Sequence, residues 1–367
     1  MAIILTAKSR DKTLVYLNDS LSRSELRKLR EGNEFYCPDC GNLVLLKIGE
    51  IKIPHFAHKS LSACGASEPE SALHIEGKIL LHHFFKERHI SAELEKYLPV
   101  IRQRADLFVN SNTAIEFQCS PIAAAEVSKR SAAYASQNFH FAWIAGSREE
   151  QENAVQVVKI LEYQKEMLIG QENVNHLMLL NPDTRKFYYY SNLFPLSGSR
   201  WVGKVVSLPA AQQTFPFAVP KNLNRSDFEK VCTVFAAVRM AFIRSQRFAK
   251  NRYRNPFWLL CYKMGIDKDR LPDYIGVPVF GSECIADYAV IWQLKLMQAK
   301  SLGRSIDEVL ATGSIKLHRR GKDSQARKVL MDYTEFLDET ERTDMEPFKQ
   351  NDLLYAIYCK NVRKLRK

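Results

Sequence analysis

Two short apolar runs, residues 107–109 (LFV) and 114–117 (AIEF), flank the polar cluster Asn110-Ser111-Asn112-Thr113. That pattern predicts a β-hairpin. Asp106 opens the first run, and Glu116 stands in the second with Gln118 two residues on. Side chains alternate along a strand, so Glu116 and Gln118 share a face. An acid on one strand facing an acid-x-polar pair on its neighbour offers hard oxygen donors suited to a divalent cation such as Mg²⁺ or Mn²⁺. Its chemistry would be metal-assisted phosphodiester hydrolysis. A plain hairpin with solvated acids looks the same locally, so the surrounding chain has to discriminate.

A second group of chemistry-bearing residues lies upstream. Cys37 and Cys40 form a CPDCG knuckle, and Gly41 permits the tight turn that aims two sulfurs at one point. His55, His58 and Cys64 follow at finger-like spacing. Five candidates exceed the four ligands of tetrahedral zinc, so Cys37 and Cys40 with two of the other three are expected to form a closed, structural Zn²⁺ site. The bland alternative is a reduced cysteine pair beside histidines that bind nothing.

Between these groups, residues 67–88 read as an amphipathic helix. Ser67 is its N-cap and Glu70 its third residue, in a capping box. Leu73, Leu80 and Phe84 form the apolar stripe, with Gly77 allowing close packing. Glu70, His74 and Lys78 recur every four residues and share a face. That face is either a solvated ladder or one wall of a site completed by the hairpin. Residues 121–139 predict a second helix with Arg130 and Tyr134 on one side, and 139–145 (FHFAWIA) a buried central strand. Arg104, Arg130 and Tyr134 are candidate DNA contacts near the hairpin.

The remaining elements are simpler. Residues 1–35 suggest a hairpin and a short helix capped by Ser22 or Ser24. Runs 43–47 and 51–53 suggest a strand pair. Residues 151–168 suggest a helix, and 176–180 pairs with 187–190 across Asn181-Pro182-Asp183-Thr184. From 193 to 220 a Pro/Gly/Ser-containing connector is expected. Residues 230–266 contain no Asp or Glu. Arg239, Arg244, Arg247, Lys250, Arg252 and Arg254 accumulate there among Tyr253, Phe257 and Trp258, a mixture suited to phosphate contact and base stacking. The plainer alternative is a solvated helix face.

Composition narrows the partners. The chain has 367 residues, 26% charged and 46% hydrophobic, with a formal charge of +12, enough for two or three domains and favouring a polyanionic partner. The apolar stretch 231–243 is too short to span a bilayer and is interrupted by Arg239. The N-terminus lacks a signal-peptide pattern. A cytoplasmic protein without stable membrane association is expected, its eight cysteines reduced or metal-bound.

The chain runs helix, then Glu93-Leu94-Glu95 in an extended segment, then Asp106, then Glu116-x-Gln118. Helix–strand–strand–strand with acids at the facing edges is the order of the PD-(D/E)XK nuclease core. The motifs FYCPDCG, HFAHKSLSAC, ESALHIEGK, QRADLFV, AIEFQCSPI and AWIAG together resemble the CoiA family of bacterial competence proteins. The resemblance runs in order through the first half of the chain and weakens after about residue 200. It implies an α/β fold: a restriction-endonuclease-like core (65–195), a small N-terminal β-rich zinc-finger-like module (1–64) and a helical, basic C-terminal domain (196–367). It also implies a metal-dependent DNA nuclease acting in recombination of transforming DNA, on single-stranded or branched DNA rather than plain duplex, beside the recombinase machinery. Asp106 and Glu116 would hold the metal, helped by the Phe117 carbonyl and by Glu70 through a water. Where the superfamily carries a catalytic lysine, this chain has Gln118, which cannot act as a base. Either Gln118 only orients the water, or Lys78 replaces the lysine with His74 carrying a proton, or the centre is degenerate and the protein is a DNA-binding adaptor that assists the recombinase.

Overall fold

The structure is a computed structural model. It describes residues 4–17, 21–38, 40–50, 53–59, 71–169, 174–251, 254–318, 323–343 and 345–364. The N-terminal part begins with β1 (Thr6–Ser9) and β2 (Leu14–Tyr16), followed by α1 (Arg23–Glu31). Ser22 caps α1 in a reciprocal box with Glu25, as Ser-x-x-Glu ahead of a helix dictates. Then come β3 (Phe35–Tyr36), β4 (Leu43–Lys47) and β5 (His55–His58). The sheet order is β2-β1-β3-β4-β5. A further antiparallel bridge joins Ile4 to Phe56, so the chain just before β1 also touches the far strand. β4 pairs with β3 and with β5 at 55–58; of the expected 51–53 strand, residues 51 and 52 lie outside the described residues.

The central sheet is laid down by α2 (Ala72–Glu87), β6 (Ala92–Leu98), β7 (Gln103–Val109), β8 (Thr113–Gln118), α3 (Ala124–Ser136) and β9 (His140–Gly146). It continues through β10 (Val155–Lys159), the short α4 (Glu162–Lys165), β11 (His176–Asn181), β12 (Lys186–Ser197) and β13 (Arg200–Pro209). The strand order is β10-β13-β12-β11-β9-β8-β7-β6. β8, β9 and β11 run parallel, and the flanking pairs are antiparallel. Asn110 and Ser111, with φ of 49° and 57°, make the β7–β8 turn, the double positive φ that a tight hairpin needs.

Helices cover both faces of the sheet's first half. On one side Leu81, Phe84 and Phe85 of α2 pack on Leu107, Ile115 and Phe117. A Cβ on Gly77 would lie 1.9 Å from the Phe117 ring, so the close approach of α2 requires glycine there. On the other side Val127 of α3 packs with Trp143, and Tyr134 with Phe108 and Ala114. Ser71 rather than Ser67 caps α2, accepting from the His74 N–H; Ser67 and Glu70 lie outside the described residues.

Two expectations are corrected here. Residues 151–168 form β10 and one helical turn, not a helix. The connector expected from 193 does not start there, because β12 and β13 carry the sheet to Pro209. Gly198, with φ of 57°, turns that hairpin. The last third comprises α5 (Arg225–Gln246), α6 (Pro256–Met264), α7 (Ala289–Ser301), α8 (Ile306–Ala311), α9 (Asp323–Thr343) and α10 (Pro347–Lys364). It shares its core with the sheet: Phe194 and Val202 are buried with Phe228, Phe235 and Tyr358. No helix among the described residues is long and apolar enough to cross a membrane.

Candidate active site

The β7–β8 ladder pairs Val109 with Thr113, Phe108 with Ala114 and Leu107 with Ile115. Asp106 and Glu116 come next in line, at the end where the recorded pairing stops. The two acids engage different helices, Asp106 through His74 and Lys78 of α2 and Glu116 through Arg130 and Tyr134 of α3. Instead of continuing the ladder, Asp106 uses its side chain: Oδ2 accepts the Phe117 N–H at 2.8 Å and the His74 Nε2 contact at 3.3 Å. Lys78, from the next turn of α2, places Nζ 4.0 Å from Oδ1. The helix face read from the sequence is therefore brought to the hairpin through His74 and Lys78.

Lys78 is completely buried, where a cation persists only with an opposite charge. That charge is Glu95 of β6, at 2.8 Å. Burial pushes the Glu95 carboxyl up, but the charge and hydrogen bond of Lys78, the charge of Arg104 and a hydrogen bond from Thr6 outweigh it and hold the group below the usual glutamate value. In the sequence Glu95 stands only as part of the extended Glu93-Leu94-Glu95 segment, with no role given to it at the site. Its signal was only an acid in the strand beside the hairpin.

Glu116 lies on the other side of the centre and is 1% exposed. Arg130 of α3 donates to its Oε1 at 2.5 Å, and the Tyr134 hydroxyl donates to the same oxygen. Arg130 also donates to the Arg104 carbonyl at 2.9 Å and lies over the Trp143 ring. Two carboxylates close together in a buried site cannot both ionise freely. Burial raises Glu116, Arg130 lowers it and the Asp106 charge raises it again, leaving it pushed up to about 7. Burial raises Asp106 too, but His74, Lys78 and Arg130 pull harder and hold it well below the usual carboxylate range. The two acids are thereby divided into an ionised and a readily protonated partner. One carboxylate held ionised and one raised mainly by burial are oxygen donors of the type a divalent cation takes.

Several candidates stand elsewhere. Gln118 turns its amide to the Ser120 carbonyl at 2.7 Å. Tyr134, read as a DNA contact, is fully buried and serves Glu116; α3 spans the sheet, so its four-residue spacing faces inward. Arg130 is three-quarters buried and likewise faces Glu116. In the basic stretch Arg239 is internal, donating to the Leu271 and Pro272 carbonyls. Phe257 is buried, and Trp258 donates to the Gln246 carbonyl. Arg244, Lys250 and Arg254 are exposed, as is Arg247, which pairs with Asp269 at 3.0 Å. Phe248 and Tyr262, 85% and 87% exposed, are the aromatic surfaces of this region that the sequence reading did not single out. Arg252 and Tyr253 lie outside the described residues.

The upstream cluster is narrower than expected. Ligand atoms of Cys37, Cys40 and His58 all lie within 4.8 Å of one another, with Cys40 Sγ 3.3 Å from His58 Nε2. His55 does not join them, because three residues along a strand reverse the face; its Nδ1 donates to the Ile53 carbonyl at 2.8 Å. Soft and borderline ligands in this combination suit zinc. Cys64, the remaining candidate, lies outside the described residues.

A mixed α/β architecture with these acids, and a Cys/His cluster ahead of them that could hold a metal ion, is consistent with a nuclease-like domain. Comparison with known proteins agrees. Residues 70–222 match the family model described as competence protein CoiA, nuclease-like domain, and residues 18–67 match its N-terminal domain. The competence protein CoiA of Bacillus subtilis (strain 168) is 28% identical over 282 residues, covering 74% of this chain and 73% of that protein. The chain belongs to the competence protein CoiA family, matching its N-terminal and its nuclease-like domain in order. No solved structure matches it.

Proposed function

We propose that the chain is a divalent-metal-dependent deoxyribonuclease with a PD-(D/E)XK core, acting in the cytoplasm on DNA taken up during competence, in step with recombination. The observation that carries this is the position of Asp106 and Glu116 next in line at one end of the β7–β8 pairing, Glu116 feeling the charge of Asp106, with Lys78 Nζ 4.0 Å from Asp106. Asp106 and Glu116 would hold Mg²⁺ or Mn²⁺, with Phe117 contributing its carbonyl. When bound, the ion supplies Lewis-acid polarisation of the phosphate and a more acidic water. The chain's own groups do the rest. The Phe117 N–H and His74 fix the orientation of Asp106. Lys78 brings a positive charge to the place where the scissile phosphate gathers negative charge. His74, 19% exposed at its side chain, is the group placed to pass a proton to the departing oxygen. Gln118 contributes at most a hydrogen bond to the attacking water, once released from Ser120.

Cys37, Cys40 and His58, with Cys64, would hold structural zinc. Exposed Arg244, Arg247, Lys250 and Arg254, with Phe248 and Tyr262 as stacking surfaces, fit single-stranded or branched DNA. One observation favours a second reading, a non-catalytic DNA-binding adaptor: Glu116 is already occupied by Arg130 and Tyr134. The discriminating experiment is cleavage of single-stranded, duplex and branched DNA with each metal. Asp106→Ala and Glu116→Ala should abolish cutting while DNA binding survives. Wild type that binds but never cuts would leave the adaptor.

A further inference from the structure

Glu95 is bound more heavily than a strand residue needs to be. β6 keeps register with β7 on either side of it, Leu94 opposite Leu107 and Lys96 opposite Ala105. Yet Glu95 itself has φ of 50°, a conformation that a non-glycine residue holds only where its surroundings fix it. Such local distortions re-aim side chains beside active sites.

The re-aimed carboxylate collects four donors. Oε1 accepts Lys78 Nζ at 2.8 Å and the Leu5 N–H at 3.2 Å. Oε2 accepts the Thr6 N–H at 3.2 Å and the Thr6 hydroxyl at 2.7 Å. Leu5 and Thr6 belong to the small sheet, some ninety residues away in sequence. One buried side chain thus joins β1, the helix that carries Lys78, and the strand that lies opposite Asp106. The junction is apolar around it, since Ile75 and Ile79 of α2 are buried in the small sheet's own core.

We propose that Glu95 is a positioning residue that sets the Lys78 ammonium beside Asp106, and that it does so only when β1 is docked on it. The small sheet is then part of the hydrolytic unit, not an appended module. This deepens, and rests on, the reading of Asp106 and Glu116 as a hydrolytic centre. Without Leu5 and Thr6, one carboxylate oxygen loses its donors inside a dry site. Glu95 must then turn or admit water, and Lys78 follows the charge to which it is paired.

The test uses the full chain with Mn²⁺ on a DNA that wild type cuts, comparing Thr6→Val, Glu95→Gln, Lys78→Met and the last two combined. Amide exchange of the segment 4–17 is measured in parallel. Glu95→Gln should lower kcat by about tenfold to a hundredfold and leave KM for DNA within about twofold. Thr6→Val, conservative and on the other sheet, should lower kcat in the same sense by less. The double variant should be no slower than Lys78→Met alone, because both changes remove one interaction. Exchange in 4–17 should rise in Thr6→Val and in Glu95→Gln. Wild-type kcat in both variants, or additive losses in the double variant, overturns the positioning role. If wild type cuts nothing, the nuclease reading fails separately and exchange alone decides the docking: unchanged protection in Glu95→Gln overturns it, and loss of protection upholds it.

Discussion

Glu116 sits where stability and function pull against each other. In the metal-free protein its carboxyl is pushed up to about 7 from an ordinary 4.5. Between those values the folded chain keeps a proton that the unfolded chain has released. Unfolding free energy therefore falls as pH rises through that window, by roughly 3 kcal/mol if the whole shift is expressed, and is flat above it. Asp106 acts oppositely: its depressed value contributes stability that is present above 3.8 and lost as pH falls through the folded value. In EDTA, denaturant titrations should show wild type losing stability between pH 4.5 and 7, while Glu116→Gln stays nearly level there. Equal slopes would mean that Glu116 is not strained by its neighbours. The types and alternation of these acids were legible in the sequence, because a strand's two-residue period puts Glu116 on a definite face. The grip of Arg130 and Tyr134 on it was not, since their spacing reads equally well as an outward face. The role of Glu95 was not legible for a different reason: its partners Leu5, Thr6 and Lys78 are far from it in sequence or on another element.

Packing at the level of elements is set by how closely α2 approaches β8. Gly77→Ala would drive a methyl group into the Phe117 ring, at 1.9 Å, and Phe117 has no room to yield in the core. The expected loss is about 1–3 kcal/mol in urea denaturation, together with reduced cleavage, since the same helix carries His74 and Lys78. An unchanged midpoint would show that the helix can shift freely. In the small sheet, β5 carries His58 and its Phe56 is bridged to Ile4, so the metal cluster and β1 share one sheet. Elemental analysis should find zinc in wild type and none in Cys37→Ser or Cys40→Ser; a zinc-free wild type would contradict the site. His55 and His58 were both candidate ligands by their finger-like spacing, whereas the strand that carries them turns His55 away from His58. The β7–β8 hairpin and α3 were readable because turn residues and alanines are local signals. β10 and β13 were not, since an edge strand and its partner define each other only across 40-odd residues of chain, from Val155 to Lys204.

For the molecule as a whole, the net charge of +12 has an uneven expression. Arg239 is spent inside the helical region on carbonyls, while Arg244, Lys250 and Arg254 face solvent near the bare rings of Phe248 and Tyr262. Replacing Arg244, Arg247, Lys250 and Arg254 with Ala should weaken single-stranded DNA binding and flatten the slope of log affinity against log salt by roughly 3. An unaltered slope would assign that surface to solvent. The helical region shares its core with β12 and β13, which the sequence could not announce because those strands were hidden in a Pro/Gly/Ser-containing stretch. The central claim is that the hairpin acids perform metal-dependent hydrolysis, and one measurement tests it most directly. Purified wild type, Asp106→Ala and Glu116→Ala are each incubated with single-stranded, duplex and branched DNA in Mg²⁺, Mn²⁺ or EDTA. Metal-dependent products from wild type alone, with binding retained in all three, are the predicted result; identical behaviour of the three proteins across every metal and substrate would contradict it.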